Sequence, residues 1–202
     1  MPDRGEATTP TRAQPYDTDR VVDVAVQVFL ERGYDRASMG DIARAAGLGK
    51  SSLYHHVTGK EELLERGLRR ALDALFAALK EPAASTGPAV DRLRTMIRRT
   101  VEIMCEQLPE VALLLRVRGN TETERWVLER RREFDRLMAR LVKDAITAGD
   151  VRADLDPGLV TRLVFGMSNS IVEWYRPGGS VRPQRIIDHI TTIVFEGLTR
   201  EA

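Results

Sequence analysis

The sequence predicts an all-α protein: an N-terminal three-helix head, a long connecting helix, and a larger helical body. Apolar residues recur every three to four positions along nearly the whole chain of 202 residues, and no stretch alternates in the manner of a strand. Proline and glycine punctuate that pattern at intervals suited to helices. Near the N-terminus, two very short helical patterns sit on either side of a glycine turn.

The first helix is expected from about Thr18 to Gly33, with Val21, Val24, Ala25, Val28 and Phe29 on its buried stripe. A second begins near Met39. Ser38 caps it by accepting from its free amides, and Asp41, three residues on, returns the bond and complements the positive helix end. Ile42, Ala43 and Ala46 are its core side, and Gly47 supplies the left-handed conformation that ends it, with Leu48 tucking back. A third helix is expected over residues 49–56, with Leu53 and Val57 facing inward. Lys50, Ser51, Ser52, Tyr54, His55 and His56 are then left for solvent or a ligand. Gly49, Ser51 and Ser52 make the leading edge slim, as a helix entering a major groove about 12 Å wide requires. This is a helix-turn-helix layout, and it points to duplex DNA.

A long helix follows from about Lys60 to just before Pro82, carrying Leu63, Leu64, Leu68, Leu72, Leu75 and Leu79 on one side. Pro82 to Pro88 is expected as a linker. Body helices are expected at about 88–107, 109–118, 121–148, 156–175 and 183–200. The organisation anticipated is a flexible arm at 1–16, bearing Arg4 and Arg12, a DNA-binding unit at 17–60, and a ligand-binding and dimerisation unit at 61–202.

Composition narrows the function. A hydrophobic content of 43% allows a real core, and the net charge of +1 argues against a uniformly basic nucleic-acid binder. The positive field is local instead: between Ser38 and Lys60 the sole acid is Asp41, against Arg44, Lys50 and Lys60. Cys105 is the single cysteine, and there is no apolar run of about 20 residues and no secretory leader, so a cytoplasmic protein that does not enter membranes is expected. No Gly-rich phosphate loop, nucleophile elbow or metal-ligand spacing occurs, so neither an enzyme nor a metal or cofactor is expected. His189, the one histidine outside the head, is read as structural. A helical adaptor without DNA binding stays open as an alternative.

The head resembles the TetR family of transcriptional regulators. The resemblance rests on the helix-turn-helix followed by Leu53-Tyr54-His55-His56 and then Lys60-Glu61-Glu62-Leu63, and it is strong over residues 17–80. Val57 departs from the family's usual Phe. The resemblance implies phosphate contacts for Ser38, Tyr54, His55 and Lys60, and base-edge contacts for Lys50, Ser51 and Ser52. It also implies a homodimer that reads a palindromic operator as a repressor.

Two features of the body bear on a partner copy and an effector. Residues 156–175, with Gly166, Ser168 and Ser170 thinning one side, and the last helix, with Ile186, Ile187, Ile190, Ile193, Val194, Phe195 and Leu198, offer more apolar surface than one chain covers. An effector chamber is expected between helices 88–148 and 156–175, its lining drawn from Met104, Leu108, Leu114, Leu115, Val117, Phe134, Leu137, Met138, Phe165, Met167, Asn169 and Trp174. Arg116, Arg118, Asn120 and Arg176 are expected as its polar contacts, within a wider crowd of arginines that includes Arg125, Arg130, Arg131, Arg132, Arg136 and Arg140. Segments 113–120, 131–135 and 174–179 are similar to the branch of these regulators that responds to CoA thioesters, so an acyl-CoA such as phenylacetyl-CoA is the expected effector. A free hydrophobic drug or fatty acid is the alternative.

Overall fold

In the computed structural model, residues 17–198 are described. The arm expected at 1–16, with Arg4 and Arg12, and the side chain of Leu198 lie outside them. Among the described residues the regular secondary structure is all helical, in the order α1 (Thr18–Arg32), α2 (Met39–Ala46), α3 (Lys50–Leu53), α4 (Lys60–Ala78), α5 (Pro82–Ser85), α6 (Ala89–Glu106), α7 (Leu108–Arg116), α8 (Glu122–Ala148), α9 (Pro157–Asn169), α10 (Ile171–Trp174) and α11 (Pro183–Leu198).

The head is built as its caps dictate. Ser38 Oγ accepts from the Asp41 amide at 3.1 Å, and the Asp41 carboxylate accepts from the Ser38 amide at 3.1 Å, a reciprocal capping box. Gly47 stands at φ 67° and ψ 26°, and the Leu48 amide reaches back to the Ala43 carbonyl at 2.9 Å, closing α2 in a Schellman turn. Gly67 of α4 lets the long helix cross α1 closely, since a Cβ there would fall 2.6 Å from Val26 Cγ2.

Three expectations are corrected. The third helix spans four residues rather than 49–56: after Leu53 the chain tightens into i→i+3 bonds from His55 to Ser52 and from His56 to Leu53 before Val57 re-enters the core. The segment expected as a linker holds a helical turn, α5, opened by Pro82 at its first position and pinned by the buried Ala84. The helix expected over 156–175 is broken at Ser170, where hydroxyls compete for helix carbonyls: Ser168 Oγ donates to Val164 and Ser170 Oγ to Met167.

Two clusters of buried side chains organise the packing. One fills the body between α6, α8, α9 and α11. The other fills the head, and it does not end with the head's own helices: Leu113 and Leu114 of α7 and Val127 of α8 belong to it. Polar ties follow the same seam. Arg116 donates to the Leu30 carbonyl at 2.8 Å, Thr123 Oγ1 donates to Glu61 at 3.1 Å, and Arg70 of α4 binds Asp19 at 2.7 Å, Asp23, and Glu110 of α7 at 3.7 Å.

Candidate nucleic-acid interface and effector chamber

The polar edge of the helix-turn-helix is held from behind. Leu53 and Val57 are buried, so Lys50, Ser51, Tyr54 and His55 are turned outward, with Tyr54 49% exposed. Gly49 and Ser38 are also at the surface, while Ser52 and His56 are half-buried. His56 Nδ1 sits 3.4 Å from Thr18 Oγ1, so this ring faces α1 as well as solvent. The Ser38 hydroxyl donates to the Asp41 carboxylate at 2.6 Å while its oxygen accepts from the Asp41 amide, so this exposed side chain is held in place over the first turn of α2. Those hydrogen bonds from the Ser38 side chain and backbone, aided by Arg32 and Arg44, hold the Asp41 carboxyl below its ordinary range.

Lys60 has another commitment. Its ammonium donates to the Tyr34 carbonyl at 2.8 Å and lies 4.3 Å from the centre of the Tyr34 ring, clamping the loop between α1 and α2. Burial, with Glu61, Asp35 and Glu124 nearby, pushes the Tyr34 phenol up to about 12.

In the body, a cavity of ≈ 230 Å³ opens among α4, α6, α7, α8 and α9. Of the residues expected to form the chamber, Met104, Leu114, Leu115, Phe134, Phe165 and Asn169 line it, together with Leu72, Leu75 and Val111. Phe165 stacks on Phe134 with ring centres 5.6 Å apart. The other expected residues lie elsewhere. Met138 borders a separate gap of ≈ 10 Å³. Trp174 is 49% exposed and donates to Ser170 at 3.4 Å. The Arg176 guanidinium is tied to the carbonyls of Tyr175 and Glu173, and that of Arg116 to Leu30. Arg118 and Asn120 bring their backbone amides, with that of Gly119, to one oxygen of the buried Glu124 at 2.7–3.0 Å, while their side chains stay exposed.

The chamber's polar lining is instead Arg131, Asp135 and Arg162, with Thr100. Desolvation lowers the Arg131 pKa, against the opposing charge of Asp135. The Asp135 carboxyl is pushed up by the surrounding protein despite Arg131, Arg162 and Arg136. The sequence signal for this pair was Arg131 and Asp135 at i and i+4 around Phe134. Arg162 had no comparable signal, because only the tertiary contact of α9 with α8 brings it to them. His189 Nδ1 donates within its own helix to the Arg185 carbonyl at 2.8 Å. Among the described residues no group of acids, histidines and cysteines is placed to hold a metal, and no helix is long and apolar enough to cross a membrane.

Two family models match the chain. Residues 21–66 match the bacterial regulatory proteins of the tetR family, and residues 86–198 match the tetracyclin repressor-like C-terminal domain. The HTH-type transcriptional repressor KstR2 of Mycobacterium tuberculosis is 30% identical over 90% of this chain and 92% of its own length. KstR2 of Rhodococcus jostii is 32% identical over 88% of this chain and 89% of its own. Among solved structures, SCO3833 of Streptomyces coelicolor A3, a member of the TetR transcriptional regulator family, shares 55% identity and a TM-score of 0.83, covering 96% of this chain and 94% of that one.

Proposed function

The chain belongs to the TetR family of helix-turn-helix transcriptional repressors, and we propose that two copies grip a pseudo-palindromic operator and release it when a small effector enters the body cavity. The observation that carries the DNA half is the outward row Lys50, Ser51, Tyr54 and His55, locked in place by Leu53 and Val57. In this reading Lys50, Ser51 and Ser52 address base edges over the slim Gly49 turn. Ser38, Tyr54, His55 and His56 position the sugar-phosphate strand. Lys60 adds positive potential from behind while its ammonium holds the α1–α2 loop.

Residues 17–60 are the reading unit and 61–202 the effector and dimer unit, with the first turns of α4 serving both. Leu159, Leu163 and Ile193, 54%, 65% and 61% exposed on α9 and α11, are the face for a second copy. Two heads then address half-sites about 34–36 Å apart, or a multiple. The protein works in the cytoplasm, where its operator is.

α7 is the link between cavity and head. Val111, Leu114 and Leu115 line the cavity, while Leu113, Leu114, Glu110 and Arg116 engage the head and α4. A ligand that fits only a shifted α7 favours a head spacing unsuited to the operator, which is the differential affinity that release requires. The chamber's apolar walls suit the acyl group of an acyl-CoA thioester, phenylacetyl-CoA among them, with Arg131 and Arg162 in the lining as donors for carbonyl oxygens rather than for phosphates. A free hydrophobic acid or drug is the second reading, favoured by the small volume of ≈ 230 Å³.

Fluorescence anisotropy with DNA from upstream of the gene tests the DNA half: binding that is nanomolar and weakened about tenfold or more in Tyr54→Ala is expected, and no binding to any upstream fragment overturns it. Calorimetry with phenylacetyl-CoA, phenylacetate and CoA tests the effector. Equal affinity for the free acid and the thioester removes the thioester reading.

A further inference from the structure

A second cleft of ≈ 410 Å³ lies along the same α4–α8 seam as the cavity, one turn further on. Phe76, Leu79 and Leu141 form part of its apolar floor, and Lys80, Arg92 and Arg140 stand around it with Asp144 as the one lining acid. No ion pair ties down Lys80 or Arg140 among the described residues. Arg92 reaches the Ala84 carbonyl at 3.4 Å, which places it on the α5 side.

The wall between cavity and cleft is aromatic. Phe76, which lines the cleft, meets Phe134, which lines the cavity, edge to face at 5.8 Å between ring centres. The Arg130 guanidinium covers the Phe76 ring at 3.7 Å. Side chains of this kind swing about χ1 without breaking a hydrogen bond. From Phe134 to Arg140 the axis of α8 advances about 9 Å.

We propose that the cleft holds the phosphorylated end of a CoA thioester whose acyl group occupies the cavity. The inference rests on the thioester reading of the effector. Volume is the first reason: ≈ 230 Å³ is below the roughly 300–1,000 Å³ of sites that enclose drug-sized ligands. The cavity therefore takes an acyl group and leaves the pyrophosphate and 3′-phosphate outside. Charge is the second, because three cations against one acid around an apolar floor match an adenine ring with phosphates attached. Phe76 and Phe134 part to pass the slim pantetheine arm.

Calorimetry on the full-length protein with phenylacetyl-CoA, CoA, dephospho-CoA and pantetheine tests this. Wild type should rank CoA above dephospho-CoA above pantetheine. The double variant Lys80→Glu, Arg140→Glu should lose about tenfold for CoA and phenylacetyl-CoA and nothing for pantetheine. Arg132→Glu, exposed on α8 and lining neither space, should bind CoA as wild type does. Melting curves establish that the variants fold, and Lys80→Met with Arg140→Met replaces the double reversal if that variant does not. If the double variant binds CoA as wild type does, or Arg132→Glu loses as much, the cleft is not the phosphate site although the thioester reading stands. If no CoA-bearing compound binds wild type while a free acid releases the operator, the thioester reading itself has failed.

Discussion

Tyr54 combines high exposure with a fixed base, so its loss tests the proposed DNA contact separately from the fold. Tyr54→Ala is expected to weaken operator binding about tenfold or more with an unchanged melting temperature. If the phenol meets a phosphate-bound region only through its hydroxyl, the log–log salt slope changes little. Replacing Lys50 by Ala, whose ammonium addresses a base edge, should instead cost about 1–3 kcal/mol at the preferred sequence and relax the preference at that base, read from a panel of operator variants. Lys60 behaves differently, because its ammonium binds the Tyr34 carbonyl at 2.8 Å. Lys60→Met should lower the melting temperature as well as the affinity. Asp41 supplies a pH test. Its pKa is lowered in the fold from 3.8 by the Ser38 hydrogen bonds, so its contribution is present above that value and is lost as pH falls through the depressed pKa. The stability advantage of wild type over Asp41→Asn, measured by urea unfolding, should therefore be full at neutral pH and shrink below pH 3.8.

At the scale of single helices, the crossing of α1 and α4 is the tightest packing constraint. Gly67→Ala places a methyl 2.6 Å from Val26 Cγ2, and overpacking of this kind costs about 1–3 kcal/mol. A denaturant midpoint unchanged by Gly67→Ala would contradict the crossing. Helix starts and stops were readable wherever a local device sets them, as at Ser38 with Asp41, Gly47, and Gly149 at φ 84°. They were unreadable where competition decided. The break at Ser170 depends on hydroxyls choosing helix carbonyls, and the brevity of α3 depends on Val57 being drawn into a core that only the folded head contains.

For the molecule as a whole, the exposed leucines and isoleucine of α9 and α11 predict association. Leu163→Glu with Ile193→Glu should convert a dimer to monomer in sedimentation and reduce operator affinity by orders of magnitude, since each half-site then binds alone. A variant that still sediments as a dimer places the interface elsewhere. Head and body are also joined more firmly than a rod between two units would suggest. Leu113, Leu114 and Val127 fill the head's core, and Arg70 gathers acids from α1 and α7 around one guanidinium. Arg70→Met should leave the effector's own affinity near the wild-type value and reduce the factor by which effector weakens operator binding. An undiminished factor would show that coupling runs by another route.

Local chemistry along the chain was enough to establish the all-helical class, the capped and glycine-closed reading motif, and the outward row from Lys50 to His55. Each depends on a residue and its near neighbours, through caps, turns and helical period. The chamber was decided by packing between distant helices. Met104, Leu115, Phe134, Phe165 and Asn169 converge on it, while Arg116, Arg118 and Arg176 spend their hydrogen bonds on backbone carbonyls or stand in solvent. Arginine side chains are long and find acceptors in many directions, so composition could not say which of them would reach a cavity, and only the approach of α9 to α8 brought Arg162 to its lining beside Asp135 and Arg131, the last also donating to the Leu114 carbonyl at 3.3 Å.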